Sequence, residues 1–207
     1  MTTSCYKRAR KGFVHLLGED SAKAVAVAYY IAGTKCGNSD HYRPLWEMAK
    51  VSLPDETITF DIGNQLGGTL IQEGKYEKAK AVLLAAAEWR RLLGEEHKKT
   101  LIALMNTGSL LSGTGENEGA LECYQQAHRG EERLFGKAHP QSLGTILNLG
   151  SAYKELKNFK KAEEMYRFAL DDFEKSLGKD HEETKLSEKA LLVLIQQQGR
   201  MMDASSW

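Results

Sequence analysis

Residues 136–177 read GKAHPQSLGTILNLGSAYKELKNFKKAEEMYRFALDDFEKSL, and this stretch decides the fold. Its first half, 142–156, places apolar residues three or four positions apart, and its second half, 159–177, does the same. This spacing predicts two amphipathic helices, each with one buried face. A short break between them joins the helices as an antiparallel hairpin. Each helix still needs a further neighbour to cover the apolar surface that its partner leaves open.

Three residues of this stretch carry specific structural expectations. Gly150 interrupts the first apolar stripe, where it costs helix stability, so we expect it to let a neighbouring helix approach closely. Pro140 suits a first helical turn, in which no amide hydrogen is needed. Gly178 follows the last apolar position and suits the left-handed residue that often ends a helix.

Copies of the stretch lie on both sides of it. Gly94, Gly136 and Gly178 are 42 residues apart, and one copy earlier other columns, such as Thr59 and Thr100, are 41 residues apart. Many other columns keep this register, which indicates an internal repeat rather than chance. The repeated columns are His97, His139 and His181; Thr59, Thr100, Ser142 and Thr184; Gln65, Asn106 and Asn148; Gly67 and Gly108; Gly74 and Gly115; Ala79, Ala120, Ala162 and Ala204; and Ala86 and Ala127.

The repeated pattern resembles the tetratricopeptide repeat, in the long form of about 42 residues found in kinesin light chains. The linkers 93–97, 135–140 and 177–181 carry the resemblance, together with Asn106-Thr107-Gly108 and Asn148-Leu149-Gly150. It covers roughly residues 52–204. It implies an all-α fold, a right-handed superhelical solenoid of antiparallel helix pairs, and a protein-binding groove. At the position of the family's asparagine, which Asn106 and Asn148 keep, the first repeat has Gln65 and the last segment has Ala190.

The register also predicts the boundaries of the chain's parts. It gives an N-terminal cap helix with a degenerate helix pair (1–51), three repeats (52–93, 94–135 and 136–177) and a C-terminal capping segment (178–207). Within the first part, we expect a helix that begins near Pro44. In the last part, we expect one helix over 183–198 and a second that starts at Gly199. The chain then either ends on a cap or is a fragment of a longer array.

The basic segment 1–18 admits two interpretations. It has four basic residues and no acidic one, as a mitochondrial presequence has. Its Leu16-Leu17-Gly18-Glu19 ending repeats Leu92-Leu93-Gly94-Glu95, which favours a capping helix instead.

Composition excludes several classes of function. Net charge is zero, with 28 basic and 28 acidic residues, which offers no general support for nucleic-acid or membrane binding. The three cysteines are far apart and lack CxxC spacing, which is typical of reduced cytoplasmic thiols. No apolar run approaches the roughly 20 residues of a membrane span. We therefore predict a cytoplasmic protein, with mitochondrial targeting as the lesser alternative.

Nothing in the sequence predicts an enzyme, a cofactor or a metal site. His97, His139 and His181 recur once per repeat, so we expect them to cap or pack helices. The other three histidines have no cysteine or carboxylate at ligand spacing. No hydrolase, metalloprotease or phosphate-loop motif is present. Acidic pairs such as Glu131-Glu132 and Asp171-Asp172 are expected on solvated faces.

In arrays of this type the first helix of each pair lines the concave groove, so the polar residues beside its buried stripe are candidates for partner binding. Asn and Gln side chains both donate and accept hydrogen bonds, which suits holding an extended peptide. Asn106 and Asn148 could equally bridge neighbouring helices, and the two roles are compatible. The candidate groove residues are Asp61, Asn64, Gln65, Gln72, Met105, Asn106, Ser109, Ser112, Asn148, Ser151 and Lys154.

Three hypotheses of function follow. The first is a non-enzymatic adaptor that binds a partner peptide in this groove. The second is a structural subunit of a larger multiprotein assembly. The third, an enzyme or a regulatory fragment of one, is opposed by the lack of a catalytic constellation.

Overall fold

The computed structural model describes residues 25–26, 28–30, 38–53, 57–87, 97–136 and 139–204. Every regular element within these ranges is an α-helix. The chain divides into two compact units, Met1–Leu93 and Gly94–Trp207. The predicted all-α fold built from helix pairs is confirmed. The expectations for segment 1–18 and for the last three residues lie outside the described residues.

The first unit contains three described helices: α1 (Ser39–Ser52), α2 (Thr57–Gln72) and α3 (Tyr76–Ala87). α2 packs against both α1 and α3. Their apolar stripes meet in a core in which no side chain is more than 4% exposed, so burial of these stripes holds the helices together. The core residues are Tyr42, Leu45, Trp46, Ala49, Phe60, Ile62, Leu66, Leu70, Ala79 and Leu83.

The expected start of the first described helix near Pro44 is wrong, because α1 begins at Ser39 and Pro44 lies inside it. Two features stabilise the helical turn of α1 that precedes Pro44. The Ser39 amide and hydroxyl both donate to Glu73, over 2.9 and 2.6 Å. Tyr42, which precedes the proline, is already buried at 2% exposure. These contacts offset the hydrogen bond that proline removes from the helix.

The second unit contains five helices, in which two antiparallel pairs are followed by a single long helix. α4 packs on α5, α6 packs on α7, and α5 also packs on α6; α8 lies against α7. The short turns within each pair make the pairs hairpins, as predicted. The helices are α4 (Lys98–Thr114), α5 (Asn117–Phe135), α6 (Pro140–Glu155), α7 (Phe159–Leu177) and α8 (Glu182–Ala204).

The glycine in the middle of each first helix allows close approach of its second helix, as predicted for Gly150. A Cβ atom added at Gly150 would lie 2.5 Å from Cε1 of Tyr166, and one at Gly108 would lie 2.5 Å from Cε1 of Tyr124. In the first unit, a Cβ at Gly67 would lie 2.4 Å from Cδ2 of Leu83. Each contact is shorter than real Cβ contacts, so a larger residue in this column would require the facing side chain of the second helix to shift.

The turns inside the hairpins and those between them differ in backbone conformation. Gly115 follows α4 with φ 85° and ψ 6°, which is the left-handed conformation. Lys157 occupies the equivalent turn after α6 and also has a positive φ, of 60°. Gly178 has the expected positive φ, 87°, but its ψ of 165° is extended, so it is not the left-handed residue that was predicted.

The last helix departs from the predicted hairpin. α8 runs without a break from Glu182 to Ala204, so the expected second helix starting at Gly199 is wrong. A single glycine costs a helix only about 1 kcal/mol relative to alanine. The residues that follow it, Arg200, Met201 and Met202, are good helix formers, so the register of the repeat does not by itself produce a turn here.

Candidate protein-binding surface

The candidates on α2 differ in exposure. Gln65 and Gln72 are exposed, Asp61 is half-buried, and Asn64 is only 6% exposed. Asp61 acts on Tyr29: burial of the tyrosine, and next the charge of Asp61, raise the pKa of Tyr29 to about 12. Among these four, the two glutamines therefore offer the most accessible polar groups to a partner.

The candidates on α4 are half-buried, and one of them belongs to the packing of the helices. The Met105 side chain packs against buried residues of α4, α5 and α6, and its sulfur lies 3.2 Å from the hydroxyl oxygen of Thr145 on α6. Asn106 takes part in an interaction within the chain. Ser112 is half-buried in the last turn. Ser112 therefore remains a candidate for the binding surface. Asn106 remains one as well, alongside its interaction within the chain, whereas Met105 packs between helices.

Two serines predicted to line the groove make the same hydrogen bond in successive pairs. The Tyr124 hydroxyl donates to Ser109 Oγ over 3.2 Å, and the Ser109 hydroxyl donates to the Met105 carbonyl oxygen over 3.0 Å. Forty-two residues later, Ser151 Oγ and the Tyr166 hydroxyl are 3.0 Å apart. The serines therefore fasten each first helix to its second helix, a bridging role that was weighed for the asparagines.

The two remaining candidates lie on α6. Asn148 is half-buried, and among the described residues its side chain has no hydrogen-bond partner. Lys154 Nζ lies 3.1 Å from Glu155 Oε1, with 24% of the lysine side chain exposed. An ion pair that is partly open to solvent contributes little to stability, so the ammonium group of Lys154 remains available to a ligand.

The structure brings the α4 and α6 candidates into one unit, on helices that contact each other directly. We call four of these candidates the first-helix face: Asn106 and Ser112 on α4, and Asn148 and Lys154 on α6. Its members occupy two columns exactly one repeat apart. The α2 candidates belong to the other unit.

The same columns continue onto α8 with different chemistry. Ala190 stands in the asparagine column, and Val193 stands in the column of Ser109 and Ser151. Val193 is 38% exposed, and Leu186, two turns earlier, is 54% exposed. The sequence did not mark these residues as candidates, because an apolar residue on a helix is by default assigned to the core.

One polar contact between the pairs also escaped prediction. Gln125 Nε2 of α5 donates to the Tyr153 hydroxyl of α6 over 3.1 Å, and Lys161 Nζ of α7 lies 5.2 Å from the centre of the same tyrosine ring. Tyr153 therefore links three helices. No repeated column marks Gln125, since a contact between pairs depends on how the pairs stack.

The expectation that Glu131 lies on a solvated face is wrong. Glu131 is only 7% exposed, and its Oε2 accepts a hydrogen bond of 2.6 Å from the Thr145 hydroxyl. Burial raises the pKa of Glu131, and the Thr145 hydrogen bond opposes that rise. In the next repeat the same column holds Phe173, which is buried at 2% exposure. The Glu131 carboxylate therefore occupies a position that holds an apolar core residue in the next repeat.

The repeated histidines have the structural role that was predicted. His97 Nδ1 accepts from the Lys99 amide over 3.2 Å, and His181 Nδ1 accepts from the Glu183 amide over 3.3 Å, so each satisfies an amide at a helix start. The His139 ring stacks on that of Phe135, with 4.8 Å between ring centroids.

The described residues contain neither a metal-binding cluster nor a membrane-spanning helix. No group of three or more His, Cys, Asp or Glu side chains there could hold a metal ion. None of the helices in that part of the chain has the length and apolar character needed to cross a membrane.

Comparison with known families identifies the repeats. Sequence profiles described as tetratricopeptide repeat match residues 59–133 and 142–183, which together make up more than half of the chain. The chain belongs to the tetratricopeptide repeat family. Repeats of this family generally act as scaffolds for protein–protein interaction. No curated protein sequence matches the chain.

Solved structures share the fold at low sequence identity. BtubC (BKLC) from P. vanneervenii is 18% identical, with a TM-score of 0.71 over 99% of this chain and 84% of that chain. A putative kinesin light chain with nearly identical TPR-like repeats, from Podosopora anserina, is 17% identical, with a TM-score of 0.66 over 99% of this chain and 90% of that chain. The predicted resemblance to kinesin light chain repeats is thereby confirmed at the level of fold.

Proposed function

We propose that this chain is a non-enzymatic, cytoplasmic adaptor that binds an extended segment of a partner protein along the first-helix face. The observation that carries the proposal is the state of Asn148. Its amide is half-buried and has no partner among the described residues, while the adjacent Ser151 is engaged with Tyr166. An amide offers two donors and two acceptor lone pairs, which match the alternating groups of a peptide backbone.

The exposed apolar residues of α8 suggest that the bound segment also carries an apolar side chain. Beyond Asn148, the columns on α8 present Val193 and Leu186, both exposed and apolar. A peptide that pairs its backbone with Asn106 and Asn148 would reach this patch at one end. We therefore expect the bound segment to carry a large apolar side chain there, and polar backbone contacts elsewhere.

The test uses the purified chain as bait for affinity purification with mass spectrometry, followed by peptides cut from each captured protein. Asn106→Ala with Asn148→Ala should lower the affinity for such a peptide roughly 30-fold, since two hydrogen bonds contribute about 1 kcal/mol each. Fluorescence anisotropy of the labelled peptide gives the dissociation constant. Melting temperature should change by only a few degrees, about what 1 kcal/mol produces in a chain of this size.

A matched control removes two exposed side chains that also lie one repeat apart, on the second helices. Glu122→Ala with Glu164→Ala should leave the dissociation constant unchanged. Equal binding by the asparagine variant and by this control would sink the proposed site. Competition among the captured peptides for a single site would support one shared face.

A second candidate function, a structural subunit of a larger assembly, is favoured by one observation. α8 exposes Leu186, Leu192, Val193 and Ile195, with exposures between 38 and 54%. Exposed apolar residues concentrated on one element often mark an interface. If the chain aggregates when purified alone and is soluble only with one fixed partner, this candidate replaces the adaptor. A stable monomer that captures several exchangeable ligands would exclude it.

A further inference from the structure

A buried carboxyl group connects three helices of the second unit. Glu131 of α5 lies at 7% exposure, and its Oε2 is 2.6 Å from Thr145 Oγ1 of α6. Thr145 is 1% exposed, and the same Oγ1 is 3.2 Å from the sulfur of Met105 on α4. The hydroxyl therefore stands between two acceptors that belong to different helices.

The Thr145 hydroxyl can donate to only one of these two acceptors at a time. Thr145 has one hydroxyl proton, an ionised carboxylate only accepts, and a thioether sulfur is a weak acceptor. With Glu131 ionised, the proton goes to the carboxylate, because charge-assisted hydrogen bonds are the stronger ones. With Glu131 protonated, the carboxyl itself can donate to Thr145, and the hydroxyl proton is then free to turn to Met105.

Among the described residues, the elements packed around Glu131 offer its carboxylate no close counter-charge. α4 has charged residues only in its first turn, and α6 has them only in its last turn. The described contacts of the Glu131 carboxyl contain a hydroxyl donor and no cation. Burial accordingly raises the pKa of Glu131, which supports a change of protonation nearer to neutral pH than for an exposed glutamate. The ionisable groups of these elements are Lys98 and Lys99 on α4; Glu118, Glu122, Cys123, Tyr124, His128, Arg129, Glu132 and Arg133 on α5; His139 before α6; and Tyr153, Lys154 and Glu155 on α6.

We propose that Glu131, Thr145 and Met105 form a proton-controlled link, in which protonation of Glu131 turns the Thr145 hydroxyl from α5 toward α4. One proton enters at the carboxylate, and no bond other than hydrogen bonds is exchanged. The link ends at Met105, which directly precedes Asn106 of the first-helix face. The inference concerns the packing of α4, α5 and α6, and it stands whether or not a peptide binds at that face.

Nuclear magnetic resonance tests the link directly. The chain is labelled with ¹³C at the methionine methyl groups, and the Met105 signal is assigned by its loss in Met105→Leu. Across a pH titration, the Met105 methyl shift should change with the same midpoint as the Glu131 carboxyl carbon. Met48, which lies in the other unit, provides the internal reference and should show no change at that midpoint.

Three variants separate the link from a general effect of pH. Glu131→Gln, which keeps size and accepts from Thr145, should remove the Met105 change. Thr145→Val, which keeps the shape of the side chain, should remove it while Glu131 still titrates. His128→Gln should leave it in place, because burial lowers the pKa of His128 and that group is no part of the link. The proposal is overturned if the Met105 shift is flat in the wild-type chain, or if its midpoint persists in Glu131→Gln or Thr145→Val. A flat wild-type titration overturns the proposal even if a variant fails to fold.

Discussion

At the scale of single residues, the glycine column explains how closely the helices of each pair approach. Gly150 faces Tyr166, which is 2% exposed and whose hydroxyl is held by Ser151, so the ring cannot withdraw freely. Gly144 lies on the same helix, but a Cβ atom added there meets nothing within 4 Å. Two glycines of α6 thus have the same local conformation and opposite surroundings.

This difference predicts opposite effects of the same substitution. Gly150→Ala should lower the free energy of unfolding, since overpacking costs about 1–3 kcal/mol and the gain in helix propensity is about 1 kcal/mol at most. Gly144→Ala should raise it by about 0.5–1 kcal/mol, because only the propensity gain remains. Urea denaturation measures both. Equal stability of the two variants would contradict the assigned packing role of Gly150.

At the scale of elements, the start of α1 is held by a residue from the turn between α2 and α3. The Glu73 carboxylate accepts from the Ser39 amide and hydroxyl and lies 2.6 Å from Lys75 Nζ. The Lys75 and Ser39 hydrogen bonds lower the pKa of Glu73 from 4.5 to about 2. A carboxylate that accepts these hydrogen bonds at a helix N-terminus stabilises α1 only while it is ionised.

The stability of the first unit should therefore depend on this group in acid. Because the pKa is lower in the folded state, the contribution is complete above about pH 4.5 and is lost as pH falls toward about 2. Glu73→Gln should lower the free energy of unfolding near neutral pH, and the difference from wild type should shrink in this acidic window. Denaturation curves at a series of pH values, followed by tryptophan fluorescence, measure this dependence.

The exposed Glu77 on α3 provides the control for the acid titration. Among the described hydrogen bonds of Ser39, none involves Glu77, so Glu77→Gln should leave the pH dependence that Glu73 confers in place. A Glu73→Gln difference that is constant from neutral pH to about pH 2 would contradict capping by the ionised carboxylate.

The elements also show what periodicity can and cannot predict. Repeated sequence positions predict the helix pairs, the close approach at Gly150 and the capping histidines, because each such position has the same local environment in every repeat. Glu131 does not, since its burial depends on a hydroxyl that α6 supplies at Thr145. The engaged state of Ser109 and Ser151 was missed for a related reason. A side chain beside the buried stripe can face either solvent or the second helix. Ser109 and Ser151 face the second helix because its tyrosine hydroxyls form hydrogen bonds with them.

At the scale of the whole molecule, α8 differs from the earlier first helices on the side that would receive a second helix. Leu143, Ile146 and Gly150 of α6 are buried, the first two at 0 and 2% exposure. The same columns of α8 hold an exposed lysine, an exposed glutamate and a leucine that is 52% exposed. These are Lys185, Glu188 and Leu192.

This change of chemistry favours the predicted role of α8 as a capping helix. Burying Lys185 and Glu188 would cost the hydration of two charges, and a leucine in the glycine column would prevent the approach seen at Gly150. We expect Lys185→Leu with Glu188→Ile and Leu192→Gly to turn α8 into a receptive helix. A labelled peptide of the α7 sequence, 159–177, should then bind the triple variant and not the wild-type chain in fluorescence anisotropy. A scrambled peptide of the same composition should bind neither, because the stripe of α7 depends on the order of its residues. Equal affinity of the wild-type chain and the triple variant for the α7 peptide would show that Lys185, Glu188 and Leu192 do not prevent a second helix from packing on α8.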